Sequence, residues 1–187
     1  MFLEVLKQHL DCFNRLPEMT AMIEQTGSRL AQAIGGGGKI LVCGNGGSAA
    51  DAQHFAAELI GRFERERSAW PAVALTTDTS ILTAVGNDYG FSEVFSRQVL
   101  GLGRKGDVLI GISTSGNSEN IVRAVAAAKS LDMFSVGLLG KQGGALRELV
   151  DSAIVVSDKT TARIQEAHIF ILHFWAMLIE GQLADRR

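Results

Sequence analysis

The chain has 187 residues, 47% of them apolar and 20% charged, with a formal net charge of −2. A chain of this length buries roughly 70% of its unfolded surface in one core. The near-neutral charge argues against nucleic acid or an anionic membrane as the main partner. The longest apolar run, near Ile169–Ile179, is interrupted by His173 and is too short to span a bilayer. Glu4, Lys7, Gln8 and His9 break up any signal-peptide core, so a soluble, cytoplasmic protein is expected. Cys12 falls in a predicted helix and Cys43 ends a predicted strand; both read as reduced thiols.

Residues 2–34 carry a helical apolar stripe that Leu16–Pro17 breaks in two, because a residue before proline avoids the helical region. These helices either cap the domain or form an oligomer bundle, since their apolar stripe needs a cover. From Lys39 the pattern alternates. Strand 39–43 leads to helix 48–64, and strand 72–75 to helix 78–86. A polar turn, Gly86–Gly90, precedes helix 91–102. Strand 107–112 leads to helix 118–131, strand 134–139 to a glycine turn and a short helix, and strand 152–156 to a last helix over 161–183. Short apolar strands separated by helices predict an α/β fold, a parallel sheet with helices on both faces. Ligands in such sheets bind at the carboxyl ends of the strands, near a topological switch point.

Two loops at those ends can hold an anion. Gly44-Asn45-Gly46-Gly47 turns the chain sharply, and Ser48 is a good N-cap, so a helix N-terminus with free amides follows. The G-x-G-x-x-A spacing is present, but without a well-placed ribose-binding acid a dinucleotide reading is weak. Ser113-Thr114-Ser115-Gly116-Asn117-Ser118 offers hydroxyls, an amide and a glycine, and lacks the lysine of a nucleotide P-loop. Alone it could be a capped turn; beside the glycine loop it reads as a phosphate-monoester site.

His54 and Glu58 share one helix face and can hold a divalent metal or act as an acid/base pair; the bland alternative is a surface i,i+4 contact. The last helix adds Gln165 and His173. They differ by about 80° around the axis but by about 12 Å along it. Two ligands so spaced either lean toward each other or come from different subunits. His168 reads as a core or supporting histidine. Asn87 and Asp88 read as a turn on their own. Glu64–Arg67 looks like a solvated charged helix end, and Trp70 and Trp175 like packing residues.

CGNGGSAADAQHFAAEL, AVGNDYGF, GDVLIGISTSGNS and ARIQEAHIFILH together resemble the SIS (sugar isomerase) domain family, in particular its sedoheptulose 7-phosphate isomerase branch. The resemblance spans the chain in order. It implies a single SIS domain over 1–187, built as a three-layer αβα sandwich on a five-stranded, flavodoxin-like parallel sheet. Residues 1–34 would be N-terminal helices at the centre of a homotetramer, with sites at subunit interfaces. It implies one zinc per subunit on His54, Glu58, Gln165 and His173, and Glu58 and His173 as acid/base residues. Asn45, Gly46, Gly47, Ser48, Asn87, Asp88, Ser113, Thr114, Ser115, Ser118 and Gln165 would contact a small sugar phosphate, with no direct nucleic-acid or membrane partner. The implied reaction turns sedoheptulose 7-phosphate into D-glycero-D-manno-heptose 7-phosphate through an enediol, for surface polysaccharide. Ala162 stands where some members have an acid. The main rival is a non-catalytic SIS tetramer that binds the replication initiator protein; the intact Glu58 and His173 favour an enzyme. An isomerase of another sugar phosphate is a second rival. A sugar-phosphate-sensing regulator is a third, for which no residues remain to build a DNA-binding domain.

Overall fold

The computed structural model describes residues 1–184. Its strands are β1 (Ile40–Gly44), β2 (Ala72–Ala74), β3 (Val108–Ser113), β4 (Phe134–Gly140) and β5 (Ser152–Val156). All pairings are parallel and the order is β2-β1-β3-β4-β5. β1, β3 and almost all of β4 are buried along their length. Such strands suit continuous Val/Ile/Leu runs, because both faces of a parallel sheet are covered.

Alternate strand residues feed two cores. Ile40, Val42, Ile110 and Leu138 point to one side, where α2 (Thr20–Gly35), α3 (Gly47–Ile60) and α8 (Thr161–Leu183) pack. Leu41, Cys43, Leu109 and Leu139 point to the other, beneath α5 (Ser96–Leu102), α6 (Glu119–Ser130) and α7 (Leu146–Leu149). The result is a three-layer αβα sandwich. Trp175, fully buried on α8, donates its indole N–H to the Ile23 carbonyl at 2.9 Å and ties α2 to α8. Among the described residues no helix is long and apolar enough to cross a membrane. Both cysteines are buried free thiols, and burial pushes Cys43 up to about 12.

Two regions leave apolar surface uncovered in the single chain. α1 (Phe2–Phe13) buries Cys12 alone. Phe2 and Leu3 are each 76% exposed, with Val5, Leu6 and Leu10 also exposed. α4 (Thr79–Tyr89) has no fully buried residue.

The elements differ from the expected ones in four places. α3 starts at Gly47, with Gly46 as its N-cap at φ +57°, a left-handed backbone that glycine accepts without strain; Ser48 lies buried in the first turn instead of capping it. α3 also stops at Ile60. α4 continues through the expected polar turn, so Asn87 and Asp88 occupy its last turn. The single helix expected over 91–102 divides into a 3₁₀ turn (Phe91–Glu93) and α5, with Val94 and Phe95 buried between them.

Candidate active site

The order β2-β1-β3 places the switch point between β1 and β3, because the chain leaves β1 toward one edge and β3 toward the other. Gly44 is in register with Ile112, so the loops after β1 and β3 start about 5 Å apart.

The loop after β3 is bonded within itself. Ser113 Oγ lies 3.0 Å from Ser118 Oγ and 3.4 Å from Ser115 Oγ. Ser113 Oγ accepts from the Gly116 amide at 3.1 Å, and Ser115 Oγ from the Asn117 amide at 3.1 Å. Ser118 is the N-cap residue of α6, yet its side chain makes no capping bond; its hydroxyl turns to Ser113. Thr114 is half-buried beside them. The turn after β4 supports this loop: Asn117 Oδ1 accepts from the Ala145 amide at 2.8 Å, and Leu146 N donates to Gly116 O at 2.9 Å. A Cβ on Gly116 would fall 1.8 Å from Gly143 O, at φ +68°, so only glycine fits.

The loop after β1 is more open. Gly46 and Gly47 are exposed and Asn45 is half-buried. Asn45 and Asn120 exchange amide hydrogen bonds of 3.0 and 2.9 Å and so tie the two loops together. Asn120 was not singled out in the sequence; nothing in its spacing marks it. The Gln165 side chain covers Gly47 so closely that a Cβ there would meet its Nε2 at 2.4 Å.

About 10 Å further along α3, His54 Nε2 sits 3.0 Å from Glu58 Oε1 and 3.1 Å from His173 Nε2. The imidazoles meet edge to face, and the Phe63 ring stacks on His173 with centroids 5.6 Å apart. α3 and α8 run side by side in the same direction, so Gly47 meets Gln165 and His54 meets His173. Donor atoms of His54, Glu58 and His173 all lie within 4.8 Å of one another. Two imidazole nitrogens facing each other at this distance need a proton or a cation between them. With a carboxylate oxygen alongside, the donor set fits a divalent transition metal. Gln165, about two turns before His173 on α8, lies against Gly47 at the start of α3.

Asp51 lies near the start of α3, three residues before His54. Its Oδ2 is buried without a partner. Burial pushes its carboxyl up to about 6, against the pull of His54. The spacing 51-54-58 places it on the same side of α3 as His54 and Glu58, a signal the sequence did carry. His168 is fully buried, donates Nε2–H to Leu139 O at 2.9 Å, and is pushed down to about 4 by burial. It is a core histidine. Asn87 and Asp88 are exposed, and Asn87 Nδ2 donates to Asp88 Oδ1 at 2.8 Å. Arg67 is not part of a solvated helix end: its side chain is 4% exposed and paired with Glu180.

Residues 5–140 match the family model described as "SIS domain". The chain is 51% identical over 177 residues to the phosphoheptose isomerase of Helicobacter hepaticus, covering 95% of this chain and 90% of that one. Among solved structures, the phosphoheptose isomerase of Neisseria gonorrhoeae superposes with a TM-score of 0.85 at 48% identity, over 96% of this chain and 95% of that one. The phosphoheptose isomerase of Francisella tularensis superposes at 0.88 with 42% identity, over 96% and 94%.

Proposed function

This chain belongs to the SIS domain family, and from that premise we propose that it is a phosphoheptose isomerase, an aldose–ketose isomerase acting on sedoheptulose 7-phosphate. The observation that carries the reading is the meeting of His173, from the last helix, with His54 and Glu58 on α3, beside two loops built for an anion. The product, D-glycero-D-manno-heptose 7-phosphate, would supply heptose for surface polysaccharide. We read the whole chain as one cytoplasmic SIS unit.

Ser113, Thr114, Ser115 and Ser118 hold the phosphate through hydroxyls and the amides at the start of α6. The sugar hydroxyls face Asn45, Gly46, Gly47, Ser48 and Gln165, with Asn87 and Asp88 completing the contacts. Glu58 Oε1 faces His54, which leaves Oε2 to take the proton from C1 of the open-chain ketose. His173 donates a proton to the C2 carbonyl oxygen, giving the enediol. His173 then takes the proton from the C1 hydroxyl as Glu58 returns its proton to C2, giving the aldose. Zinc, held by His54, Glu58 and His173 with Gln165 as fourth ligand, would supply a Lewis acid that stabilises negative charge on the sugar oxygens. With Nε2 given to the ion, His173 would move its proton through its other ring nitrogen.

Gln165 and His173 of one helix lie about 12 Å apart along the axis. A Gln165 ligand would therefore come from a second copy of the chain. The uncovered apolar faces of α1 and α4 support such an assembly, and we assign residues 1–34 to the core of a homotetramer. Incubation with sedoheptulose 7-phosphate tests the activity. An aldoheptose 7-phosphate should appear; none, with tight binding to a replication initiator protein instead, would favour a non-catalytic SIS tetramer.

A further inference from the structure

The connection between α3 and β2, residues 61–71, is organised around one buried carboxylate. Glu180, near the end of α8, is 2% exposed. It accepts from three successive amides, those of Phe63, Glu64 and Arg65, at 2.9, 3.0 and 2.9 Å. Arg67 Nε donates to it at 3.3 Å. Burial pushes the carboxyl up, yet these amides and Arg67 hold it below its ordinary value. Arg67 then closes the end of α3. Its Nη1 donates to the carbonyls of Leu59, Gly61 and Ser68 at 2.7, 2.9 and 3.1 Å, and its Nη2 to Glu58 O at 2.6 Å. The guanidinium lies 3.9 Å over the Trp70 ring.

A helix end at the surface can leave its last carbonyls to water. Here they are served by a desolvated ion pair, a costly device for a plain cap. The two points it grips are informative. One is the main chain of Glu58. The other is Phe63, whose amide is held by Glu180 and whose ring stacks on His173. His173 and Glu180 are seven residues apart, on one face of α8. The buckle thus ties the ligand-bearing end of α3 to the ligand-bearing face of α8.

We propose that Glu180, Arg67 and Phe63 are positioning residues for the His54–Glu58–His173 centre, setting its metal affinity and geometry without contributing to sugar-phosphate binding. The proposal rests on the metal-centre reading above. It extends that reading to residues that touch neither metal nor substrate.

The test uses the full-length protein with Glu180→Gln, Phe63→Leu and Arg67→Lys. Zinc affinity is measured by competition with a chromophoric chelator, geometry by the visible spectrum of the Co²⁺-loaded protein, and the serine loop by inorganic phosphate titration. Glu180→Gln should weaken zinc about tenfold, in the range usual for residues that orient metal ligands. Phe63→Leu, which keeps apolar bulk, should shift the Co²⁺ spectrum. Arg67→Lys, which keeps the charge but not the fork, should fall between Glu180→Gln and the parent. Phosphate binding should be unchanged in all of them. If Glu180→Gln does not fold, Phe63→Leu and Arg67→Lys decide. Parental zinc affinity and Co²⁺ spectrum in the folded variants would overturn the proposal while leaving the metal centre standing. No zinc binding by the parent would overturn both.

Discussion

The loops after β1 and β3 flank the same switch point and each opens a helix, but they are built differently. The serine loop satisfies its own hydroxyls and leans on Gly143 and Gly144 behind it. The glycine loop has exposed backbone at Gly46 and Gly47, with Gln165 lying across it. A self-bonded cradle keeps its shape without a ligand and suits the constant part of a substrate, its phosphate. An open loop leading into α3, where His54 and Glu58 stand, suits the part that changes. Under the proposed function this difference would divide binding from chemistry, and each side of it can be broken separately.

The largest effect belongs to the α3 side. Glu58→Gln should lower kcat about a thousandfold, the usual scale for a lost general base, while inorganic phosphate still binds the serine loop. Loss of both together would erase the division.

On the other side, Gly116→Ala places a methyl group against the Gly143 main chain at a left-handed φ. A cost of about 3 kcal/mol in unfolding free energy is expected, with phosphate binding lost and zinc binding by His54, Glu58 and His173 kept. Urea unfolding and zinc titration check this.

His168 links the serine side to α8 by holding Leu139 O in β4. Its folded-state value, about 4, lies below the ordinary 6.5. Between those values the unfolded chain binds the proton and the folded chain does not. Stability is therefore full above pH 6.5 and falls as pH drops toward 4, by about 2 kcal/mol at pH 5. His168→Leu should flatten that part of the urea-midpoint profile. An unchanged slope would show that other groups carry it.

The smallest effect is Ser113→Ala. The hydroxyl is one of several at the loop, so KM should rise about fivefold, close to 1 kcal/mol, with kcat kept. A fall in kcat without a change in KM would place Ser113 on the chemical side.

Much of this was legible in the sequence because it is local. The strands sit within a residue or two of their apolar runs, and Pro17 breaks the N-terminal helices as expected. The i,i+4 pair His54–Glu58 is hydrogen-bonded as its spacing predicts. What was not legible depends on packing between distant segments. Nothing near Arg67 announces that Glu180, far along the chain, will bury it, so a charged run read as solvated. Asn120 matters through Asn45 on the neighbouring strand's loop. The start of α3 was misplaced because Gly46 supplies a backbone turn that no side-chain pattern reports. The closeness of His173 to His54 follows only once α3 and α8 lie side by side.

The central claim is that His54, Glu58 and His173 form a metal-dependent isomerase centre. The most direct measurement follows sedoheptulose 7-phosphate by NMR with metal-loaded protein, chelator-treated protein and protein reloaded with zinc. Loaded protein should give an aldoheptose 7-phosphate, chelation should abolish turnover, and activity should return at about one zinc per chain. Turnover indifferent to chelation, or none in any state, would contradict the central claim.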